Sequence, residues 1–178
     1  VLGDTWAYDY NSDTWTEMKP AVSPQGFGNH NYMVYDSKAD RMILWSEQGA
    51  ANDDTKNPME GFVWQYDYNA NTWEQRDTTT GPESNWWPAS AYHEGAGRAI
   101  RYGGGSDGSS DMWAYDYDAN TWTILLPNIY PGKSTNNEMV YLPTLDRLFL
   151  FGGSNEYGLL NHTWLYDYST NTWTEVMP

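Results

Sequence analysis

The chain has no cysteine in its 178 residues, which removes disulfides, thiol nucleophiles and cysteine-based zinc sites together. Basic side chains are scarce. Nine Lys and Arg stand against 24 Asp and Glu, a formal charge of -15 that argues against nucleic acid as a partner, because little here would neutralise a phosphate backbone. No apolar run approaches the roughly 18 residues of a membrane span, so no membrane insertion is expected. No stretch carries an amphipathic helical period, so helix should be negligible. No secretory leader precedes Val1, and a cleaved leader would leave the same sequence. The three histidines, His30, His93 and His162, make no metal-ligand spacing. No serine sits in a G-x-S-x-G elbow. No catalytic residue, metal or cofactor is expected.

What the chain does have is tryptophan and tyrosine, 11 and 15 of them, arranged periodically. Trp113 to Trp122 (WAYDYDANTW) is one of four near-copies, the others being Trp6 to Trp15, Trp64 to Trp73 and Trp164 to Trp173. Successive copies start 58, 49 and 51 residues apart, a period that marks propellers or arrays. Within each copy, bulky aromatics alternate with smaller residues, as in Trp6, Tyr8 and Tyr10, and the run resumes after an Asn/Asp-rich turn. Each copy therefore reads as a β-hairpin. Asn and Asp suit its turn because they tolerate left-handed backbone angles and bond their own backbone two residues on.

A second hairpin repeats between the copies. With Tyr35, Tyr92 and Tyr141 in register, an arginine follows six residues later (Arg41, Arg98, Arg147), and then an apolar strand ending in Trp45, Tyr102 and Phe151. Gly103-Gly104 and Gly152-Gly153 come next, where the earlier unit has Ser46-Glu47. Each full unit thus holds four short strands, A, B, C and D.

The series Arg147-Leu-Phe-Leu-Phe-Gly-Gly153, Trp164 to Asp167 and Trp173, repeated as Arg98 to Gly104, Trp113 to Asp116 and Trp122, resembles the kelch-repeat β-propeller. The resemblance implies an all-β fold of kelch-type β-propeller blades, each four-stranded, with strand A nearest the channel and D outermost. Three complete blades (27–76, 88–125 and 134–177) plus an N-terminal C–D half blade (1–19) are expected. An incomplete propeller follows, because the half blade has no A–B strands before it and its strand C would expose an unpaired edge. Other chains, or the missing part of a longer chain, would cover it. The copper radical oxidases among kelch propellers need a Tyr–Cys cross-link, which a cysteine-free chain cannot make.

In such blades the A–B and C–D turns share one face of the disc, and the longer B–C and D–A loops share the other. Loops on a rigid scaffold carry recognition, and the resemblance implies the same face. The candidate ligand-binding residues are Asn52, Asp53, Asp54, Trp86, Trp87, Asp107, Asn155, Glu156 and Tyr157. The competing reading is that these loops merely connect strands. Trp86-Trp87 beside Glu83 and Asn85 would suit a sugar ring, or one tryptophan packs over the blade edge. The Asp9-x-Asn11-x-Asp13 series opens like a calcium loop but lacks its Gly and Glu, so Asx-stabilised turns are the better account. Asn161-His162-Thr163 is a glycosylation sequon, meaningful only on an exported chain.

Two packing relationships are expected. Trp15, Trp73, Trp122 and Trp173, with Tyr8, Tyr66, Tyr115 and Tyr166, should lie between blades, since large side chains span the roughly 10 Å between stacked sheets. Arg41, Arg98 and Arg147 should approach Asp67, Asp116 and Asp167 within their own blades. The functional expectation is a non-enzymatic binding or structural module, extracellular or at the cell surface, recognising protein or glycan through its B–C and D–A loops. Part of a carbohydrate-active enzyme or lectin-like protein, with its site at the channel mouth, is the alternative.

Overall fold

The structure, a computed structural model, describes residues 3–24, 31–46, 62–82, 87–105 and 108–177. The described residues contain strands and turns, with no helix. A hairpin of β1 (Trp6–Asp9) and β2 (Thr14–Glu17) comes first. Next is an antiparallel sheet of β3 (Asn31–Asp36), β4 (Arg41–Ser46), β5 (Phe62–Asp67) and β6 (Thr72–Arg76), paired in that order. The same meander recurs in β7 (Ala89–His93), β8 (Arg98–Tyr102), β9 (Met112–Asp116) and β10 (Thr121–Leu125). The last sheet runs β11 (Glu138–Leu142), β12 (Arg147–Phe151), β15 (Thr163–Asp167) and β16 (Thr172–Val176). Its B–C loop carries a small hairpin of its own, β13 (Ser154–Asn155) and β14 (Gly158–Leu159), which the sequence did not announce.

The period-two pattern sends alternate residues to opposite faces, and both faces of a central blade are buried. In the blade of β7 to β10, Tyr92, Ala99, Tyr115 and Trp122 pack toward Val34, Ile43, Trp45 and Val63 of the preceding sheet. Its opposite face, including Ala91, Ile100, Tyr102 and Met112, packs toward Leu148, Leu150, Tyr166 and Trp173. Each interface is centred on an aromatic pair. Trp45 meets Trp122 at 5.7 Å between ring centroids, and Tyr102 meets Trp173 at 5.3 Å. The A strands β3, β7 and β11 lie side by side, as the innermost strands of adjacent blades must.

The expected burial of the repeated tryptophans needs one correction. Trp122 and Trp173 are buried and Trp73 is half-buried, but Trp15 and Tyr8 are 64% and 46% exposed. No described sheet lies against their side of the first hairpin. Their pairing within the hairpin is retained at 5.0 Å, so the side chains are shaped for an interface that the described residues do not complete. The free edge of β1 pairs with no described strand, and the first hairpin does not pack substantially on the last sheet. Among the described residues the sheets do not close into a ring, which fits an incomplete propeller.

The turn face is held by a repeated clamp. Arg41, Arg98 and Arg147 reach Asp67, Asp116 and Asp167 with one guanidinium nitrogen at 2.7, 2.6 and 2.7 Å. The other terminal nitrogen donates to a carbonyl of the A–B turn: Asp40 at 2.7 Å, Gly97 at 2.7 Å and Asp146 at 2.8 Å. The second carboxylate oxygen of each Asp accepts backbone N–H groups of the C–D turn, from Ala70, Ala119 and Thr170. One arginine thus ties both turns of its blade together. Each C–D turn closes on a residue with positive φ: Asp13, Asn71, Asn120 or Asn171, at 51 to 53°. Asn71 and Asn120 also join blades, accepting from Tyr66 and Tyr115 and donating to the carbonyls of Met18 and Asp77. Asp13 accepts from Tyr8 but has no amide to donate.

Candidate functional site: the loop face and the channel mouth

The loops on the opposite face are knitted to one another. Gly103 donates to the Asp111 carbonyl at 2.9 Å, Gly104 to that of Ser134 at 3.0 Å, and Ser134 to that of Ser109 at 3.1 Å. Thr135 and Ser154 exchange backbone hydrogen bonds at 3.0 and 2.8 Å, which fastens the β13–β14 hairpin to the connection entering β11. The glycine pairs of the repeat make this approach possible. Gly103 has φ +72° and a Cβ there would lie 2.7 Å from the Ser134 carbonyl oxygen, while at Gly153, φ +91°, it would lie 2.7 Å from that of Thr135. The Tyr102 hydroxyl adds a hydrogen bond to the Gly132 carbonyl at 2.6 Å. Burial is the largest reason its pKa lies well above that of a free tyrosine, so it remains a neutral donor.

Trp87 is the sequence candidate that this network places most distinctively. Its backbone has φ +59°, an uncommon conformation for a bulky residue. The Trp87 carbonyl accepts from the Asn136 N–H at 2.9 Å and from the Thr135 hydroxyl at 3.4 Å, so the next blade's entering segment holds the strained residue in place. The residue is 37% exposed. Below it, between the starting ends of β3, β7 and β11, lies a cavity of about 320 Å³ whose wall includes Tyr32, Trp87, Ser90, Asn136, Asn137 and Glu138. This is the channel mouth on the loop side.

Polar residues line the wall, and two of them carry a buried polar atom without a partner. Asn137 is 7% exposed, with its Nδ2 donating to the Gly152 carbonyl at 2.5 Å and its Oδ1 without a partner. The Ser90 hydroxyl likewise has none. Glu138 and Asn136 are exposed. Ser90, Asn136, Asn137 and Glu138 carried no motif, and only the folded order of the A strands brings them together. Their one sequence signal was position, immediately before or within the first residues of an A strand.

Asn155, Glu156 and Tyr157 stand apart from the cavity wall, at the tip of the β13–β14 hairpin. The Asn155 carboxamide oxygen accepts from the Tyr157 N–H at 2.9 Å and shapes the tip. Tyr157 and the neighbouring Leu159 are 87% and 92% exposed. Asn52, Asp53, Asp54, Trp86 and Asp107 lie outside the described residues. Among the described residues, no group of three or more His, Asp or Glu side chains is placed to hold a metal ion, and no helix is long and apolar enough to cross a membrane.

The Kelch motif matches residues 145–178, the span from the A–B turn of the last blade through its strand D. A search of curated proteins found no match to the chain. The matched blade contains the Arg147–Asp167 clamp, the glycine pair and the Tyr166–Trp173 stack, and the blade before it contains the same three in register. The last blade carries a Kelch motif, and the four-stranded antiparallel sheets that precede it fit a kelch-repeat β-propeller.

Proposed function

We propose that the chain is a non-enzymatic binding module of an exported or cell-surface protein, and that it recognises another protein chain through the B–C and D–A loop face. Kelch repeats commonly mediate protein–protein binding. The observation that carries the reading is the β13–β14 hairpin, which offers Tyr157 and Leu159 to solvent from a base bonded to Thr135. An exposed aromatic and an exposed aliphatic side chain on a braced tip supply contact area at little ordering cost. The export assignment rests on composition alone: no cysteine, few lysines, and abundant Asn, Thr, Trp and Tyr.

The test compares binding partners captured by the purified chain with those captured by two variants. A partner retained by the turn-face variant Glu94→Gln but lost by the tip variant Tyr157→Ala/Leu159→Ser supports this reading. Equal capture by the tip variant overturns it. Glycan recognition is the second reading, favoured by the exposed Trp87 indole beside Asn136 and Glu138, because an aromatic face with nearby polar groups suits a sugar ring. A glycan array probed with the parent and with Trp87→Ala separates it from the first.

A further inference from the structure

Three features of the first hairpin fit one kind of neighbour. The first is the edge of β1. The Met18 N–H donates to the Thr5 carbonyl and Trp6 stands opposite Glu17, so strand alternation turns the N–H and C=O of Trp6 and Tyr8 away from β2. No described strand pairs with that edge. In the three complete blades the matching edge of strand C carries strand B in one fixed register: Met42 stands opposite Tyr66, Ala99 opposite Tyr115 and Leu148 opposite Tyr166. The second feature is Asp9. Just before those three strand-B residues come Arg41, Arg98 and Arg147, clamped to Asp67, Asp116 and Asp167, and Asp9 is the register equivalent of those aspartates. It accepts the Asn11 N–H at 2.8 Å, the main reason its pKa lies below the usual carboxylate value, so it is ionised at neutral pH. It is exposed, and among the described residues it has no arginine partner. The third feature is Trp73. Trp122 and Trp173 are buried against Trp45 and Tyr102, the aromatics four positions beyond Arg41 and Arg98. Trp73 faces the first hairpin, donating from Nε1 to the Thr5 hydroxyl at 2.8 Å, and stays half-buried.

An open backbone edge, an ionised carboxylate at a fixed register and a half-covered indole are complementary to an extended segment with an arginine at one end and an aromatic residue at the other. Main-chain bonds to the edge supply affinity, and the alternating side chains supply specificity. We propose that the β1 edge is a docking site for a strand donated by a partner protein, antiparallel to β1, with an arginine paired to Asp9 and an aromatic residue four positions later against Trp73. A lysine lacks the fork with which each clamp arginine bonds an aspartate and a turn carbonyl at once. An acidic segment would be repelled by Asp4, Asp9, Asp13 and Glu17 of the hairpin. A second copy of the chain cannot donate its own arginine-bearing strands, because β4, β8 and β12 are already paired on both edges. The edge is separate from the loop face and does not rest on the role proposed for that face.

The test uses the intact chain and, as the donated strand, a synthetic peptide with the sequence of residues 89–102, which carries Arg98 and Tyr102 at the required spacing. The readout is hydrogen exchange of single amides followed by NMR. Saturating peptide is expected to slow exchange at Trp6 and Tyr8 about tenfold or more, and by more than at Ala7, whose N–H already points to β2. The Arg98→Gln peptide should bind about three- to fivefold more weakly, the range of a partly exposed ion pair. In the Asp9→Asn chain, which keeps an oxygen to accept the Asn11 N–H, the same peptide change should make no difference, because the pair is already broken. The Tyr102→Ala peptide should bind about tenfold more weakly and leave the Trp73 indole N–H signal unmoved. The proposal is overturned by the absence of saturable protection at Trp6 and Tyr8, by equal binding of the Arg98→Gln or the Tyr102→Ala peptide, or by an equal effect of Arg98→Gln in the parent and Asp9→Asn chains. Protection of Trp6 and Tyr8 that rises with chain concentration in the absence of peptide overturns it in favour of a second copy on the edge.

Discussion

Trp45 meets Trp122 edge to face across the boundary between two blades, with ring centroids 5.7 Å apart and ring planes at 84°. The same Trp122 also stacks on Tyr115 of its own blade at 5.1 Å, so one buried indole fastens its own strands and the neighbouring sheet. Replacing Trp122 with Ala removes both contacts from a position only 5% exposed and should cost about 3–5 kcal/mol. Trp15→Ala, the register-equivalent change at a side chain 64% exposed, should cost well under half as much. Urea unfolding midpoints of the two variants check the pair, and equal losses would show that the interfaces do not carry the stability.

The Arg–Asp clamp is geometrically close and partly exposed, with side-chain exposures of 28% and 24% for Arg98 and Asp116. Its coupling energy should therefore be at most about 1 kcal/mol at low salt. In 1 M salt, where the screening length falls to about 3 Å, the coupling should shrink further. A double-mutant cycle of Arg98→Gln and Asp116→Asn, run at both ionic strengths, measures this. A coupling of several kcal/mol would instead mean that the clamp behaves as a buried pair.

Gly103 and Gly132 both have positive φ, at +72° and +101°, but only Gly103 is crowded. An added Cβ at Gly103 would lie 2.7 Å from the Ser134 carbonyl oxygen, whereas at Gly132 it meets nothing within 4 Å. Gly132→Ala should cost about 1–2 kcal/mol, from backbone strain alone. Gly103→Ala should cost more, because the loop network must also move. Thermal unfolding gives the order, and the reverse order would refute the close-approach argument.

His93 supplies a pH dependence with a defined sign. The ring is 1% exposed, and burial holds its pKa below the ordinary 6.5 in spite of the opposing pull of Asp146. Its Nδ1 accepts the Ala96 N–H at 3.2 Å, so a proton arriving there must displace that bond. The unfolded chain binds this proton more readily, and unfolding therefore takes up protons as the pH falls through about 6.5. The contribution of His93 to stability is intact above that pH and is lost progressively below it, until the folded pKa is reached. In His93→Phe, which keeps a ring against Tyr141 and Tyr168, the fall in stability between pH 7 and pH 5 should be smaller than in the parent. An unchanged difference between the two pH values would refute this.

The Arg–Asp clamps and the four-stranded order were legible in the sequence because both are local and repeated: each pair lies within one blade, and period-two alternation assigns each aromatic a face. Alternation does not say whether a neighbour covers that face, which is why Trp15 and Tyr8 were expected to be buried and are not. Trp87 was legible as a candidate, but its left-handed backbone is imposed by Asn136 and Thr135 from the next blade and has no signature of its own. Ser90, Asn137 and Glu138 become a site only when β7 and β11 lie side by side. The β13–β14 hairpin has only two residues in each strand, too few for any alternation to show.

The clamps confine their bonds to one face of the disc, where each arginine ties both turns of its blade through side-chain bonds. On the other face, Asn155, Glu156 and Tyr157 sit at a tip whose base, Ser154 with Thr135, is fastened through main-chain atoms alone. Main-chain bonds do not depend on which side chains stand beyond them. Residues 155–157 can therefore be exchanged or lengthened without rewriting the blade, so new specificities can be grafted there while the clamped turns stay fixed.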